Sequence, residues 1–459
     1  MCQAAHSNRA FSQAAVFTAA FLAVLACNAG NYDPPPDSDA IPKRIRTFAQ
    51  FVADVGDRTR RVIYTPYPVS AQRGVVRNFV HVSDGSAVLA RTDLVADAAL
   101  PIVFRRAYDS QRTASLDFGT SGWQLTIAER IERDRRSGAM QYMYGNGAVL
   151  DLDRDGRIRS ALSAYLSDVT DVRTKGDTAI RVRTRTGLTK DFEFSRGVFR
   201  LTVVTDPYGN RLDLRYSAQG QLRRVDTSDG RWLLIDRDKR GRISNVQDSN
   251  RRAIRYAYDE LGRLVGMTDP GEHDWQYTYD GGNRLTSTST PNGYVDVEFH
   301  YDALGRVAMS RAHGVRTNFQ YLDAGRTTAS DRFGLATTYS AAPSGLTTEV
   351  RNGLGVKTAL QLSSGLPAAL LRNDVRIAQF GADHGDRGRI DAATVFDPVT
   401  SESYSIRYDA QGRVVAAASA SGAKSYQVEQ YGPRLIAQRV VFADGSREEA
   451  KFDARGELE

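Results

Sequence analysis

Few residues of this chain could do chemistry by type and spacing, and Cys27 comes first. It closes the run Val24-Leu25-Ala26-Cys27, which resembles a lipobox, the signal that places a diacylglycerol on the cysteine sulfur before cleavage. The only other cysteine is Cys2, so no disulfide is expected and an exported thiol needs another explanation. The six histidines, at 6, 81, 273, 300, 313 and 384, form no i, i+4 pair with the Glu of a zinc-protease helix. Asp151, Asp153 and Asp155 followed by Gly156 imitate the first half of a calcium loop, but its twelfth position is Leu162, where a bidentate Glu is required. An EF-hand is therefore rejected, and Asp153 to Ile158 reads as a turn, with weak calcium binding in a β-loop as the alternative. Asp383-His384-Gly385-Asp386 reads as a solvated loop. No nucleophile elbow, phosphate-binding glycine loop or Cys–His pair is present. The expectation is no enzyme, no metal and no cofactor.

The elements that would carry Cys27 are a signal and a tether. Ala14 to Ala26 is an apolar run of 13 residues, shorter than the about 20 residues that span a bilayer but suited to a signal-peptide core behind Arg9. Residues 1–26 thus read as a signal peptide and 27–42, with Pro34-Pro35-Pro36, as an extended tether. Two readings of the cleavage remain: an outer-membrane lipoprotein anchored at Cys27, which the lone thiol and the tether favour, or a periplasmic or secreted protein cut after Ala26. Residues 43–70 hold a short helix and connector, since Ile45, Phe48, Phe51, Val52 and Val55 share a helical face and Gly56 sits at the C-cap.

Beyond that point one phrase recurs, Tyr-Asp-x-x-Gly-Arg followed by Leu, Ile or Val. It stands at Tyr258-Asp259 with Gly262-Arg263, at Tyr301-Asp302 with Gly305-Arg306, and at Tyr408-Asp409 with Gly412-Arg413; Tyr279-Asp280 and Asp236 with Gly241-Arg242 are weaker copies. The steps from Tyr258 to Tyr279, Tyr301 and Tyr321 are 21, 22 and 20 residues, a fixed period that signals a repeat architecture. Asp first and Gly fourth suit a type I turn closed by a left-handed glycine, a common hairpin loop. The flanking Tyr and Arg-Leu read as strand, and Arg252 to Tyr258 alternates polar and apolar. The fold class is therefore all-β: repeated antiparallel β-hairpins forming a long curved or spiral sheet.

These motifs resemble the Rhs (rearrangement hotspot) or YD-repeat family. A second block agrees with it: Gly85, Thr92-Asp93-Leu94, Arg106, Tyr108, Gly119 and Gly122-Trp123 resemble the lead-in domain that precedes such repeats. The resemblance divides the chain into a lead-in at 71–139 and repeats at 140–459, degenerate at 322–400, where candidate turns stand only at Gly345, Gly365 and Gly388. It implies a sheet wound into a hollow shell which, in long members, encloses a C-terminal toxin. The segment Phe396-Asp397-Pro398 continues without the Gly-Arg of the family's self-cleaving core. The chain is thus expected to be a short, toxin-less member or the remnant of a larger locus.

Roughly 30 strands about 4.8 Å apart make a ribbon ~145 Å long, one turn of wall ~45 Å across. Such a sheet keeps open edges, which invite a protein partner or an oligomer. The net charge of +7 is scattered through the repeats, and only seven of the 61 basic residues are Lys, so no nucleic-acid partner is expected. The membrane would be met only through the lipid. Two functions remain open: a surface-anchored scaffold that shields or presents a partner, and a glycan-binding face stacking sugars on tyrosines 256, 258, 277, 279, 301 and 321.

Overall fold

The computed structural model describes residues 76–451, apart from 113–116, 161–162, 164–166, 185–186, 324, 343–345, 364–365, 386–388, 398–401, 409–413, 420–423, 432–433 and 443–445. The described residues are all-β, and none of them forms a helix long and apolar enough to cross a membrane. Two bodies of sheet divide the work. A small antiparallel sheet, Val88–Ala96, Ile102–Asp109 and Trp123–Leu125, follows the short ribbon Val76–Arg77 and Val80–His81. All later strands, from Arg130–Arg133 to Arg447–Lys451, belong to one long wall.

The wall is antiparallel because short loops reverse the chain at both ends of each strand, so sequence neighbours pair. The strand Ala253–Tyr258, for example, pairs with Ile243–Asp248 on one side and Leu264–Thr268 on the other. Its alternation decides which face is covered: Ile254 and Tyr256 are buried while Arg255 and Ala257 point away. A fully buried side chain such as Leu264, Leu285 or Val307 contributes about 1.5–3 kcal/mol relative to exposure. One such residue per repeat builds a continuous apolar strip.

Strand Val198–Thr205 shows how the wall begins. Thr189–Ser195 pairs along one of its edges; on the other, Phe199 and Arg200 meet Ile131 and Arg130 while Val203–Thr205 meet Arg211–Asp213. The first wall strand thus returns to the seventh, and the sheet passes beyond its own start, which makes it a spiral rather than a ring. Inside this coil Lys190 Nζ donates to both Glu129 oxygens at 2.9 and 2.8 Å and to Tyr142 Oη at 3.1 Å. Burial alone would lower the Lys190 pKa, and the Glu129 carboxylate outweighs it, so the ammonium is held more firmly than usual. The backbone carbonyl of Glu129 meanwhile accepts Leu201 N–H at 3.2 Å, fixing the seam.

Candidate functional site

The recurring phrase folds as its chemistry requires. In the copy at 258–263, Gly262 N–H donates to Asp259 O at 3.0 Å and Asp259 N–H to Arg263 O at 3.0 Å. Gly262 stands at φ +82°, where an L side chain is strained. The Asp259 carboxylate accepts Arg263 N–H at 2.8 Å and Arg263 Nε at 2.6 Å. Burial alone would raise this carboxyl; the Arg263 N–H and guanidinium outweigh burial and hold it below the usual range. Asp302 with Arg306 repeats the arrangement, and so does Asp280 with Arg284, where Asn283 at φ +62° replaces the glycine. The arginine that the sequence places in the strand is therefore the last residue of the turn, and the strand starts after it.

A β-bulge follows each turn. Tyr258 is opposed by Leu264, and Ala257 already by Gly266, so Val265 is extra; the same shift occurs at Arg237, Tyr279 and Tyr301. A bulge takes backbone groups out of the ladder, and here both groups of the first bulge residue are reused. Its carbonyl accepts the tyrosine hydroxyl of the next repeat: Tyr258 to Ile243 O and Tyr279 to Leu264 O at 2.6 Å, Tyr301 to Leu285 O at 2.8 Å, and Tyr321 to Val307 O at 2.7 Å. The same rings lie over the turn arginine of the preceding repeat, Arg242, Arg263, Arg284 and Arg306, at 4.2 to 5.5 Å from the ring centroid. Each Asp thus anchors an Arg that supports the next Tyr.

The bulge N–H groups serve the lead-in. Ile243 N–H donates to Asp117 O at 2.8 Å, Leu264 N–H to Ser121 Oγ at 3.2 Å, Leu285 N–H to Tyr108 Oη at 2.7 Å and Val307 N–H to Gly85 O at 2.8 Å. Four successive repeats are therefore bonded, at one equivalent position, by four points of the lead-in. Gly85 and Gly119 show how close the approach is. A Cβ on Gly85 would lie 2.6 Å from Arg306 Cβ, and one on Gly119 would lie 2.0 Å from Gly262 O.

At the centre of this contact Arg106 is fully buried. A bulge in Val88–Ala96 leaves Asp93 out of the register between Thr92 and Leu94, and Asp93 forms an ion pair with the Arg106 guanidinium. Arg106 Nη2 also donates to Tyr277 Oη at 2.9 Å, and Tyr256 Oη donates to Asp93 Oδ2 at 2.6 Å. The guanidinium carbon lies 4.6 Å from the ring centroid of Trp123, 5.2 Å from that of Tyr256 and 5.3 Å from that of Tyr277, so aromatic faces replace part of its hydration. Burial alone would lower its pKa, and the Asp93 carboxylate outweighs it. Trp123 Nε1 completes the set by donating to Tyr279 Oη at 3.0 Å. A charge pair so enclosed is costly to break, which makes this cluster a lock between the lead-in and the wall.

Most of the expected site residues fall into one assembly. Gly85, Asp93, Arg106, Tyr108, Gly119 and Trp123 line the contact, while Thr92 stands on the strand beside the bulge. Tyr258, Asp259, Gly262, Arg263, Tyr279, Asp280, Tyr301, Asp302, Gly305 and Arg306 form the turns and the links between repeats. Tyr408 ends the strand Glu402–Tyr408 and opposes Val414, with the register shift of the other copies. Asp409, Gly412 and Arg413 lie outside the described residues, as do Cys27, the tether, the 43–70 helix and connector, and Gly345, Gly365 and Gly388.

Two expectations are corrected, and the residues of two alternative readings are found engaged elsewhere. The turn residue of the 236–243 copy is Asp238, since Gly241 N–H donates to Asp238 O at 2.9 Å; Arg237 stands in the tyrosine's place and donates to Leu222 O at 3.3 Å. The 322–400 region keeps regular turns at Asp331 to Leu335 and Asn352 to Val356, and the chain reverses again at Asn373 and Asp374. Of the six tyrosines considered for sugar stacking, 256 and 277 are buried, and 258, 279, 301 and 321 lie against arginines with their hydroxyls bonded to backbone. Asp153, the centre of the half calcium loop, spends its carboxylate on Asp155 and Arg157 N–H, both at 2.8 Å.

Comparison with known proteins finds one match over the lead-in together with the first wall strands and another within the repeats. A domain of unknown function, DUF6531, matches residues 77–152, and the RHS Repeat matches residues 237–273 and 279–317. Two curated relatives from Dickeya dadantii (strain 3937), named probable deoxyribonuclease RhsA and RhsB, are each 25% identical over 171 and 170 residues. Those matches span 36% of this chain and only 12% of either relative. Among solved structures, TcdB2-TccC3 without its hypervariable C-terminal region is 10% identical, with a TM-score of 0.41 over 81% of this chain and 26% of that one. The crystal structure titled TcdB2-TccC3-Cdc42 gives 0.32 at 10% identity over 81% and 22%.

Proposed function

Because the chain belongs to the Rhs, or YD-repeat, family, we propose that it is a non-catalytic, exported β-scaffold, a surface-anchored shell component that shields or presents a partner in a toxin-related system. The observation that carries this reading is the use made of its polar groups. The recurring Asp, Arg and Tyr side chains are bonded to one another or to backbone, and the lead-in takes up the bulge N–H groups of four repeats. A wall whose recurring polar chemistry is consumed in holding the wall suits enclosure better than turnover.

The relatives' name supplies the sharpest test. The purified chain, incubated with duplex and single-stranded DNA and Mg2+, leaves both intact under this reading, and cleavage that survives repurification would overturn it. Export is read from the Cys27 motif and tested by intact mass: a membrane-fraction species starting at Cys27 with acyl chains supports the anchor, whereas an unmodified soluble species selects free secretion. The alternative, a glycan-binding face, is disfavoured by the covered tyrosines.

A further inference from the structure

The strands that open the wall coil back on themselves, and their turns at one end surround a mouth. Chain direction alternates in an antiparallel sheet, so the turns after Arg130–Arg133, Val149–Leu152, Val169–Lys175 and Thr189–Ser195 lie at the same end. Together they enclose a cavity of about 620 Å3, whose lining includes Arg133, Arg135, Arg154, Thr174, Phe194 and Phe199. Small-molecule sites run to roughly 300–1,000 Å3 and favour the mouths of β-barrels. A Cβ on Gly176 or Gly197 would meet nothing within 4 Å, so these two turns leave the entrance clear.

The lining joins an aromatic surface to unspent positive charge. Phe199 is buried, with the Phe194 ring 5.1 Å away at 60° and the Arg133 guanidinium carbon 4.9 Å from its centroid. Phe194 itself is 47% exposed, which leaves part of its ring open to a flat apolar group. The nearby carboxylates do little to neutralise the arginines. Asp134 accepts Ser137 N–H and Ser137 Oγ, both at 2.7 Å, and Arg136 N–H at 3.1 Å, all inside its own turn. Asp177 takes Arg133 Nη1 at 2.9 Å from a fully exposed position, a pair that solvent weakens. Arg154 Nε lies 3.7 Å from Asp155, beyond hydrogen-bond reach. Among the described residues no ion pair engages Arg135. Two arginines short of acceptors therefore share one cavity with an open aromatic ring.

We propose that this mouth binds a small anion with a flat apolar body, its charge held by Arg135 and Arg154 and its ring laid against Phe194. The site is independent of the scaffold proposal, since a wall that encloses a partner and one that does not can both carry it. Fluorescence titration of the full-length chain with 8-anilinonaphthalene-1-sulfonate, an aromatic sulfonate, tests it beside the uncharged relative N-phenyl-1-naphthylamine. Saturable binding of one sulfonate per chain is expected, weakened by added salt and at least about tenfold tighter than that of the neutral probe, the factor that charge-assisted hydrogen bonds supply. The paired variant Arg135→Ser/Arg154→Ser changes two exposed side chains, and its unchanged urea midpoint would report an intact fold. It should weaken the sulfonate about tenfold and leave the neutral probe unmoved, whereas Phe194→Ser should weaken both. No saturable binding, equal affinity for the two probes, or a sulfonate affinity indifferent to salt and to the arginine pair would each overturn the proposal. The salt and neutral-probe comparisons use the unaltered chain, so they decide it even if a variant fails to fold.

Discussion

Arg106 and the repeat tyrosines pose different energetic questions although both are polar and covered. The Tyr258 hydroxyl makes a neutral hydrogen bond to Ile243 O, so Tyr258→Phe should cost about 0.5–1.5 kcal/mol, read as a lowered urea midpoint with an unchanged slope. Arg106→Met keeps the volume but strands the buried Asp93 carboxylate, and a loss of ~3–5 kcal/mol is expected on the same scale. Equal costs for the two would show that Arg106 is not a lock. The turn carboxylates carry a pH signature. Asp238, Asp259 and Asp302 are held below the usual range, burial being outweighed by their arginines and backbone N–H groups. A depressed folded pKa gives stability that is fully present above the unfolded value, about 3.9, and is lost as pH falls through the folded values. The thermal midpoint should therefore hold steady from neutrality down to about pH 5 and fall below about pH 4, and Asp259→Asn should flatten part of that fall.

At the scale of the hairpin, the turn is legible in the sequence because its chemistry is local: Asp caps N–H groups two to four residues on, and Gly accepts positive φ. Arg237 is not legible as a stand-in for tyrosine, since the exchange makes sense only once the bulge places Leu222 O within reach. The links between repeats are hidden for the same reason, because each spans about one repeat in sequence and depends on strand register. The regular turns at Asp331 and Asn352 are masked because Ser330 and Arg351 stand in the tyrosine's place and Leu335 and Val356 in the arginine's. Glycine substitutions separate local strain from docking. Gly209 and Gly230 have positive φ with nothing within 4 Å of where a Cβ would stand, so Ala there should cost only about 1 kcal/mol of backbone strain. Gly119 has a similar φ, but its Cβ would meet Gly262 O at 2.0 Å. Gly119→Ala should therefore exceed the other two clearly in chemical denaturation, and parity would mean that the lead-in loop can withdraw without loss.

For the whole molecule, residue patterning is enough for the all-β class, but not for how the lead-in packs on the wall, because partners such as Asp117 and Ile243 or Gly85 and Val307 are more than a hundred residues apart. That packing alters how the repeats share stability. A repeat wall linked only by neighbour contacts behaves as a one-dimensional array, each unit opening with a free energy set by its two interfaces. Here the lead-in adds a second connection that skips along the array and joins the repeats containing Ile243, Leu264, Leu285 and Val307. Those repeats should open together, while repeats beyond Asp331, which have no such bond to the lead-in among the described residues, should open one by one. Native-state hydrogen exchange separates the two regimes. The amides of residues 243, 264, 285 and 307 should exchange at one shared, slow rate, and Arg106→Met should accelerate all four by a similar factor while leaving the amides of 347–351 almost unchanged. Acceleration confined to the repeats that touch Arg106 directly, those of Tyr256 and Tyr277, would show instead that the lead-in acts as four independent contacts and that the wall keeps the cooperativity of a simple array.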